Sequence, residues 1–184
     1  MTKSDLYFAL RCGLVKTRLQ QTAIGRVTLL NWDHDVVMDV FVKVPQQVQD
    51  YCTAQTGITA AALESPHAIS FDKARKMIQK KIVGKILVGH GLEVDLAALG
   101  LSHPWCDIRD AATYAPFMMR SSSQLLLPQD LGDLAATVLQ RENIMGCPQR
   151  EAMACLDLYK ETRREWEADL IRIAQEKSSG EKWL

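Results

Sequence analysis

The sequence has no surplus of charge of either sign. Its 184 residues include 22 basic and 22 acidic side chains, so the formal net charge is zero. Because a domain dedicated to nucleic acid is usually basic, this balance weakens such a function, although it leaves room for a local basic groove. Hydrophobic residues make up 47% of the chain, which is enough for one globular domain with a substantial core.

The sequence also lacks a Cys-x-x-Cys pair and a long apolar run. Its five cysteines are scattered and odd in number: Cys12, Cys52, Cys106, Cys147 and Cys155. This pattern favours a reducing intracellular compartment, the nucleus or the cytoplasm, and argues against a structural zinc site. Because nothing has the pattern of a signal peptide or a membrane span, we expect no membrane partner.

The signatures of several enzyme classes are absent as well. There is no Gly-x-Ser-x-Gly, no phosphate-binding P-loop, no Gly-x-Gly-x-x-Gly and no pair of histidines at metal-ligand spacing. The chain also has no internal repeat and no low-complexity segment. Any catalytic chemistry must therefore come from a different arrangement of residues.

One stretch, residues 85–101, carries the clearest pattern in the chain. It opens with a short aliphatic run, as in a strand that is buried on both faces, and Gly89 and Gly91 then flank His90 in a tight strand-to-helix turn. Leucines follow at helical spacing. Asp95 lies one turn into this helix, near the C-terminal end of the strand, where open α/β sheets place their ligands.

The order of the apolar runs predicts a single α/β domain. Strands are predicted over residues 5–16, 23–31 and 36–44, and helices over residues 71–83, 130–139 and 149–175. Residues 120–128 are predicted to form a polar, mobile loop. We place the single domain at residues 1–175 and a C-terminal tail at residues 176–184.

The Gly-His pair that leads to Asp95 resembles the second motif of the DEDDh family of 3′–5′ exonucleases. Residues 48–63 are similar to the V-x-D-Y-R-T…S-G-I-T segment of the RNA exonuclease 4 branch, with Cys52 in place of the usual arginine. The resemblance extends over residues 6–167. It implies an RNase H-like exonuclease fold, with a mixed sheet of about five strands, the first three antiparallel, and helices on both faces.

The resemblance also implies a catalytic centre of four carboxylates and one histidine. The carboxylates of the family hold two magnesium or manganese ions, and the histidine acts as general base on the attacking water. The family's first motif is Asp-x-Glu, but Arg11 and Gly13 take its place here, and no Asp-x-Glu occurs anywhere in the sequence. Arg11 reverses the charge at the centre of the site, since a guanidinium stays protonated and repels Mg²⁺.

The third motif, a histidine five residues before an acid, is also incomplete. Glu151 stands at the position of the acid and Gly146 at that of the histidine, and no histidine follows His103. Because only Asp95 and Glu151 remain of the four carboxylates, we expect neither two-metal hydrolysis nor a metal cofactor. We expect His90 to be a structural histidine that is hydrogen-bonded to the backbone.

These departures predict a pseudo-exonuclease, an inactive exonuclease-like domain that acts as a binding or scaffolding module in RNA metabolism. Arg11 is expected within hydrogen-bonding distance of Asp95 or Glu151, where it would substitute for the ions. The alternative position for Arg11 is in solvent, over a pocket filled by apolar side chains. The alternative function is a residual metal-dependent 3′–5′ RNA exonuclease that uses Asp95, Glu151 and Asp110.

A basic face is predicted on the helix over residues 71–83, either simply solvated or used to bind an acidic ligand. The candidate binding residues of the whole chain are Arg11, Asp95, Glu151, Lys73, Lys76 and Lys80. Because the net charge is zero, we expect a protein partner. RNA is the second possibility, with weak and salt-dependent binding through its phosphates.

Overall fold

A mixed β-sheet forms the centre of the computed structural model, which describes residues 2–19 and 21–180, the last four of these by their backbone alone. The strands are β1 (Tyr7–Thr17), β2 (Thr22–Asn31), β3 (Val36–Phe41), β4 (Val48–Asp50), β5 (Ile86–Gly89) and β6 (Ile108–Asp110). Their order is β3-β2-β1-β5-β6, and β4 pairs with the end of β1. The first three strands are antiparallel, and β1–β5 and β5–β6 are parallel. The predicted mixed sheet is confirmed, with six strands.

Helices lie on both faces of this sheet, as predicted. They are α1 (Lys3–Leu6), α2 (Thr53–Thr56), α3 (Ala60–Glu64), α4 (Phe71–Ile82), α5 (Leu92–Leu99), α6 (Leu131–Val138) and α7 (Pro148–Gly180). A separate hairpin consists of β7 (Met118–Arg120) and β8 (Leu126–Pro128). Among the described residues, no helix has both the length and the apolar character that crossing a bilayer requires.

Alternation along β1 decides which side chains reach each face of the sheet. Tyr7 and Ala9 belong to a core with α6 and α7, whereas Phe8 and Leu10 belong to a second core with α4 and α5. Arg11 has the parity of Tyr7 and Ala9, so its side chain lies on the α7 side of the sheet. The strand thus directs a charged side chain towards the start of the longest helix.

Local hydrogen bonds explain why two strands are shorter than predicted. β1 begins at Tyr7 rather than at Asp5, because Asp5 and Thr2 form a reciprocal capping box that starts α1. β3 ends at Phe41, where the chain turns to bridge Ile69 instead. Neither contact is visible in the apolar pattern from which the strands were predicted.

Two further predictions needed correction after residue 119. The polar loop predicted over residues 120–128 has strands β7 and β8 at its two ends. Helix α7 continues past residue 175 to Gly180, because no helix breaker stands between them. The predicted tail, residues 176–184, thus begins inside this helix. Residues 181–184 lie outside the described part of the chain, so the domain boundary stays a prediction.

Candidate functional site

A cleft of about 550 Å³ opens at the C-terminal ends of β1 and β5, between α5 and the start of α7. Its charged and titratable lining residues are Arg11, Cys12, Lys16, Asp50, Cys52, His90, Asp95 and Glu151. The structure therefore brings together Arg11, Asp95 and Glu151, as the sequence predicted, although their role in binding stays a prediction. Sequence reasoning missed Lys16 and Asp50, which meet because β4 pairs with the end of β1.

Arg11 lies across the floor of the cleft and is held from two sides. Its Nε donates a hydrogen bond of 2.6 Å to Oε2 of Glu151, and its Nη1 donates one of 3.2 Å to the carbonyl of His90. Burial alone would lower the pKa of Arg11, but the carboxylates of Glu151 and Asp95 raise it above its ordinary value. The guanidinium thus stays charged. Of the two partners predicted for it, Asp95 and Glu151, it is Glu151 that accepts the hydrogen bond.

Glu151 uses both of its carboxylate oxygens inside the protein. One oxygen accepts the hydrogen bond from Arg11, and the other accepts one of 3.1 Å from the backbone N–H of Gly146. Only 2% of the Glu151 side chain is exposed. A carboxylate that is buried and fully hydrogen-bonded in this way is poorly placed to coordinate an ion.

Asp95 is buried in the wall of the cleft and accepts a hydrogen bond of 3.2 Å from the backbone N–H of Cys12. Burial raises the pKa of Asp95 to about 7, although the charge of Arg11 and the bond from Cys12 oppose this change. Near neutral pH this carboxyl is therefore only partly ionised. Asp95 and Arg11 interact through their charges. The side-chain hydrogen bond of Arg11 is made to Glu151 instead.

A second acidic side chain at Gly13 would force the buried side chain of Ile58 to move. A Cβ atom there would lie 2.9 Å from Cδ1 of Ile58, which is closer than such atoms approach in proteins. Ile58 is fully buried in a small core with Val15 and Leu63. The position that the family gives to the glutamate of its first motif is thus taken up by packing between β1 and the segment that follows α2.

Gly146 stands where the family has its general base, and here the backbone itself fills the space. The residue has a φ of +79°, and a Cβ on it would lie 2.6 Å from the carbonyl oxygen of Ala54. Across the same contact, a Cβ on Gly57, whose φ is +65°, would lie 2.8 Å from the carbonyl oxygen of Gly146. The two glycines were visible in the sequence, but their meeting was not, because they lie far apart along the chain.

The residues of the cleft do not fit the pair of divalent ions that the resemblance implies. Magnesium requires several oxygen ligands in near-octahedral geometry. Here the guanidinium of Arg11 occupies the centre, where it repels cations, and Glu151 is engaged by it. Within residues 2–19 and 21–180, no three histidine, cysteine, aspartate or glutamate side chains are grouped to hold a metal ion. The loss of the cofactor itself stays a prediction.

His90 and Asp110, which flank the cleft, have structural partners. The His90 ring donates from Nε2 to the carbonyl of Gln129 at 2.8 Å, so the predicted backbone hydrogen bond is present. The Asp110 carboxylate accepts from the N–H groups of Gly91 and Leu92 at 2.8 and 2.7 Å, and so caps the start of α5. Asp110 was the third acid of the alternative nuclease, and this role directs it away from the cleft.

The three lysines predicted for binding lie elsewhere. Lys73, Lys76 and Lys80 are exposed on α4 and do not line the cleft. The structure thus separates the candidate residues into a cleft group and a surface group. A common ligand for both groups would have to extend over the surface of the domain.

Comparison with known proteins finds homologues among exonucleases, although no family model matches the chain. The chain is 36% identical over 169 residues to RNA exonuclease 4 of Debaryomyces hansenii, covering 89% of this chain and 60% of the relative. It is 31% identical over 176 residues to apoptosis-enhancing nuclease of Rattus norvegicus, covering 92% and 52%. Both relatives are DEDDh-type exonucleases, and the chain is similar to them over most of its own length. It spans between half and two thirds of the length of these two relatives.

A solved structure supports the same fold. The Pan2 pseudoubiquitin hydrolase-RNA exonuclease module of Saccharomyces cerevisiae, in complex with AAGGA RNA, superimposes with a TM-score of 0.75 at 20% sequence identity. The match covers 100% of this chain and 34% of that chain. At this identity the match shows the fold, and the predicted RNase H-like exonuclease architecture is confirmed.

Proposed function

We propose that this homologue of DEDDh-type exonucleases is a pseudo-exonuclease, which has kept the fold as a binding or scaffolding module and has lost hydrolysis. The observation that carries the proposal is the Arg11–Glu151 ion pair at the centre of the cleft. It places a permanent positive charge where the family needs ions, and it engages an acid that the family uses as a ligand. A protein can keep a fold and lose its activity in this way, because activity depends on the residues of the site and not on the fold.

The chemistry of the cleft supports the loss of hydrolysis. Attack on a phosphodiester needs a group that accepts a proton from water. A guanidinium cannot do so, and the His90 ring is engaged with the Gln129 carbonyl. Glu151 is shielded by Arg11 and by the N–H of Gly146. Asp50 and Asp95 also line the cleft, but neither stands at the position of the family's general base, where this chain has Gly146.

The direct test is incubation of pure protein with a 3′-labelled and a 5′-labelled single-stranded RNA in Mg²⁺ or Mn²⁺. We expect no progressive shortening from the 3′ end, with an active RNA exonuclease 4 as positive control. The alternative, a residual nuclease, rests on the presence of Asp95 and Glu151 in one cleft. Shortening that disappears in Asp95→Ala would establish that alternative and refute the pseudo-exonuclease.

A thermal melt with and without divalent ions tests the same point without a substrate. An ion that binds only the folded state raises the melting temperature by mass action. We expect Mg²⁺ and Mn²⁺ to leave the melting temperature unchanged. A rise that Arg11→Ala enlarges would mean that the ion site survives beside the guanidinium.

A role in RNA metabolism is proposed from the relatives, which include proteins named RNA exonuclease 4 and an RNA-bound Pan2 module. We infer an intracellular setting, in the nucleus or the cytoplasm, and all five cysteines are unpaired in keeping with it. The partner is a protein or an RNA. Affinity capture from native extract, with and without ribonuclease, distinguishes the two, because an RNA-mediated complex disappears on digestion.

A further inference from the structure

Helix α4 has one face in the core and one face in water. Ala74, Ile78 and Ile82 are buried against the sheet. The exposed residues of the helix are Asp72, Lys73, Lys76, Gln79 and Lys80. The helix is therefore amphipathic, and three of its five exposed residues are lysines.

The three lysines form a single stripe of positive charge, with Asp72 as the one acidic residue on the same exposed face. Positions 73, 76 and 80 follow the three- and four-residue spacing that keeps side chains on one side of a helix, and they extend over about 10 Å of its axis. In the described part of the chain, none of them takes part in a salt bridge. Because the chain as a whole is neutral, this stripe is a local feature and not a reflection of net charge.

A neighbouring basic residue shows the contrast. Arg75 donates from Nε and Nη2 to the carbonyls of Leu99 and Gly100, and so it caps the C-terminal end of α5. Its charge is therefore used inside the fold. The three lysines have no such use, and their charge remains available to a partner.

The composition of this face indicates the kind of partner. Protein interfaces are centred on aromatic, methionine or other apolar residues and are depleted in lysine. The exposed face of α4 contains no apolar residue at all. Flexible lysines without an apolar centre suit the phosphates of a nucleic-acid backbone, which are contacted through charge and without base reading.

We propose that Lys73, Lys76 and Lys80 form a contact surface for the phosphate backbone of single-stranded RNA, outside the former catalytic cleft. The inference deepens the proposed function, since it names the surface by which a non-cleaving domain holds RNA. The cleft itself is a poorer anchor. Its positive groups Arg11 and Lys16 are balanced by acidic side chains that line it with them.

The experiment compares two triple variants of equal charge in binding to a short fluorescent single-stranded RNA. The test variant is Lys73→Gln with Lys76→Gln and Lys80→Gln. The control replaces three other exposed cations, Arg120, Arg150 and Arg164, by glutamine. Anisotropy titrations are repeated at several salt concentrations, and the slope of log affinity against log salt is measured.

We expect the slope of the test variant to become shallower by about 2, because each phosphate contact to a single strand contributes about 0.7. Its affinity at low salt should fall by about tenfold or more, while the control keeps most of its affinity and slope. Equal losses of affinity and slope in the two variants would show a general effect of charge and would refute the proposed contact surface. An unchanged test variant would overturn it as well.

Two further outcomes separate this inference from the proposed function. If the wild-type protein binds polyglutamate but not RNA at low salt, the surface is specific for acidic protein and the RNA inference is wrong, while loss of hydrolysis stands. If the RNA is shortened with Mg²⁺ or Mn²⁺ in a manner that Asp95→Ala abolishes, the pseudo-exonuclease is refuted. The measured contribution of the lysine stripe to binding, taken in EDTA, still holds in that case.

Discussion

Arg11 neutralises a carboxylate that has almost no contact with water. The Arg11 side chain is 22% exposed and that of Glu151 is 2% exposed. Removal of one partner from a buried ion pair costs about 3–5 kcal/mol, because the other charge is left uncompensated. Since Arg11 is partly exposed, we expect Arg11→Ala to lower the free energy of unfolding by about 3 kcal/mol or somewhat less in urea titrations at neutral pH.

The matched control for this prediction removes both charges together. In Arg11→Met with Glu151→Leu, apolar side chains replace the pair, and most of the lost stability should return. Coupling in a double-mutant cycle should also be larger for Arg11 with Glu151 than for Arg11 with Asp95, which takes its hydrogen bond from the Cys12 backbone. Additive losses for Arg11 and Glu151 would mean that the pair does not act as a unit.

Gly146 should tolerate no side chain. Gly146→Ala forces a Cβ onto the Ala54 carbonyl oxygen in a residue whose φ is +79°. Gly84 has a similar φ of +67° and nothing within 4 Å of its added Cβ, so Gly84→Ala measures the backbone cost alone, about 1–2 kcal/mol. We expect Gly146→Ala to cost about 1–3 kcal/mol more than Gly84→Ala in the same urea titration. Equal costs would show that the two backbone segments separate easily.

For single residues, the sequence predicted an ion pair better than it predicted a close contact between backbone segments. The hydrogen bond between Arg11 and Glu151 followed from electrostatics, because an arginine among former ligands needs a carboxylate. The contact of Gly146 with Ala54 could not be predicted, since it depends on two distant loops that meet through their backbones. The position of Lys16 in the cleft could not be predicted either, because β4 and β1 pair there and this pairing is not visible in the sequence.

At the scale of elements, three carboxylate networks fasten α7 to the rest of the domain. In the first, Asp39 of β3 accepts hydrogen bonds from Gln149 and Arg26. In the second, Asp157 accepts a hydrogen bond from Arg141 and contacts the ring of His34. In the third, Glu167 accepts hydrogen bonds from Arg109 and Tyr159. The networks lie near the start, the middle and the later part of the helix. They add polar contacts to a helix that also packs through buried apolar side chains.

These networks predict a loss of stability in acid. Burial alone would raise the pKa of all three carboxylates, but hydrogen bonds from the arginines outweigh it, so each pKa lies below its ordinary value of 3.8 for aspartate or 4.5 for glutamate. A lowered pKa means that the folded state holds fewer protons than the unfolded one. The stabilisation is therefore complete above about pH 5 and is lost as the pH falls through the folded-state values.

Asp157→Asn tests this reading of the helix. It should cost about 2 kcal/mol at neutral pH and flatten the fall in unfolding free energy between about pH 5 and pH 2, since one titrating group is gone. Asp169→Asn is the control, because its bond to Arg172 lies on exposed helix and should matter little. An unaltered acid slope in Asp157→Asn would assign the acid sensitivity to other carboxylates.

Most of the helices and strands could be predicted because their apolar periodicity is strong. Helix α5 lies within the predicted strand-turn-helix stretch of residues 85–101, and glycines in the left-handed region stand at both of its ends. Helix α1 and the β7–β8 hairpin could not be predicted from periodicity. The first depends on a capping box, and the second exposes leucines at positions 125–127, where an alternating strand would hide every other residue.

For the whole molecule, burial predicts that stability is distributed unevenly along α7. Residues Ala152, Leu156 and Tyr159 are fully buried, whereas the side chains of residues 171–176 are all exposed. We expect amide hydrogens of the buried part to exchange only on global unfolding, and those beyond residue 171 to exchange about a hundredfold faster or more. Uniform protection along the helix, measured by mass spectrometry or NMR, would contradict this.

The contacts at Gly13 and Gly146 have a consequence for the history of the chain and for its redesign. A glutamate at the first position meets Ile58, and a histidine at the second meets the Ala54 carbonyl. Each single reversion would therefore reduce stability, while activity could return only with all the missing groups together. For the proposed pseudo-exonuclease, no single substitution would restore hydrolysis, which makes the proposed loss difficult to reverse under selection. An engineer who wished to revive catalysis would have to rebuild the segment around residues 54–58 along with the motifs themselves.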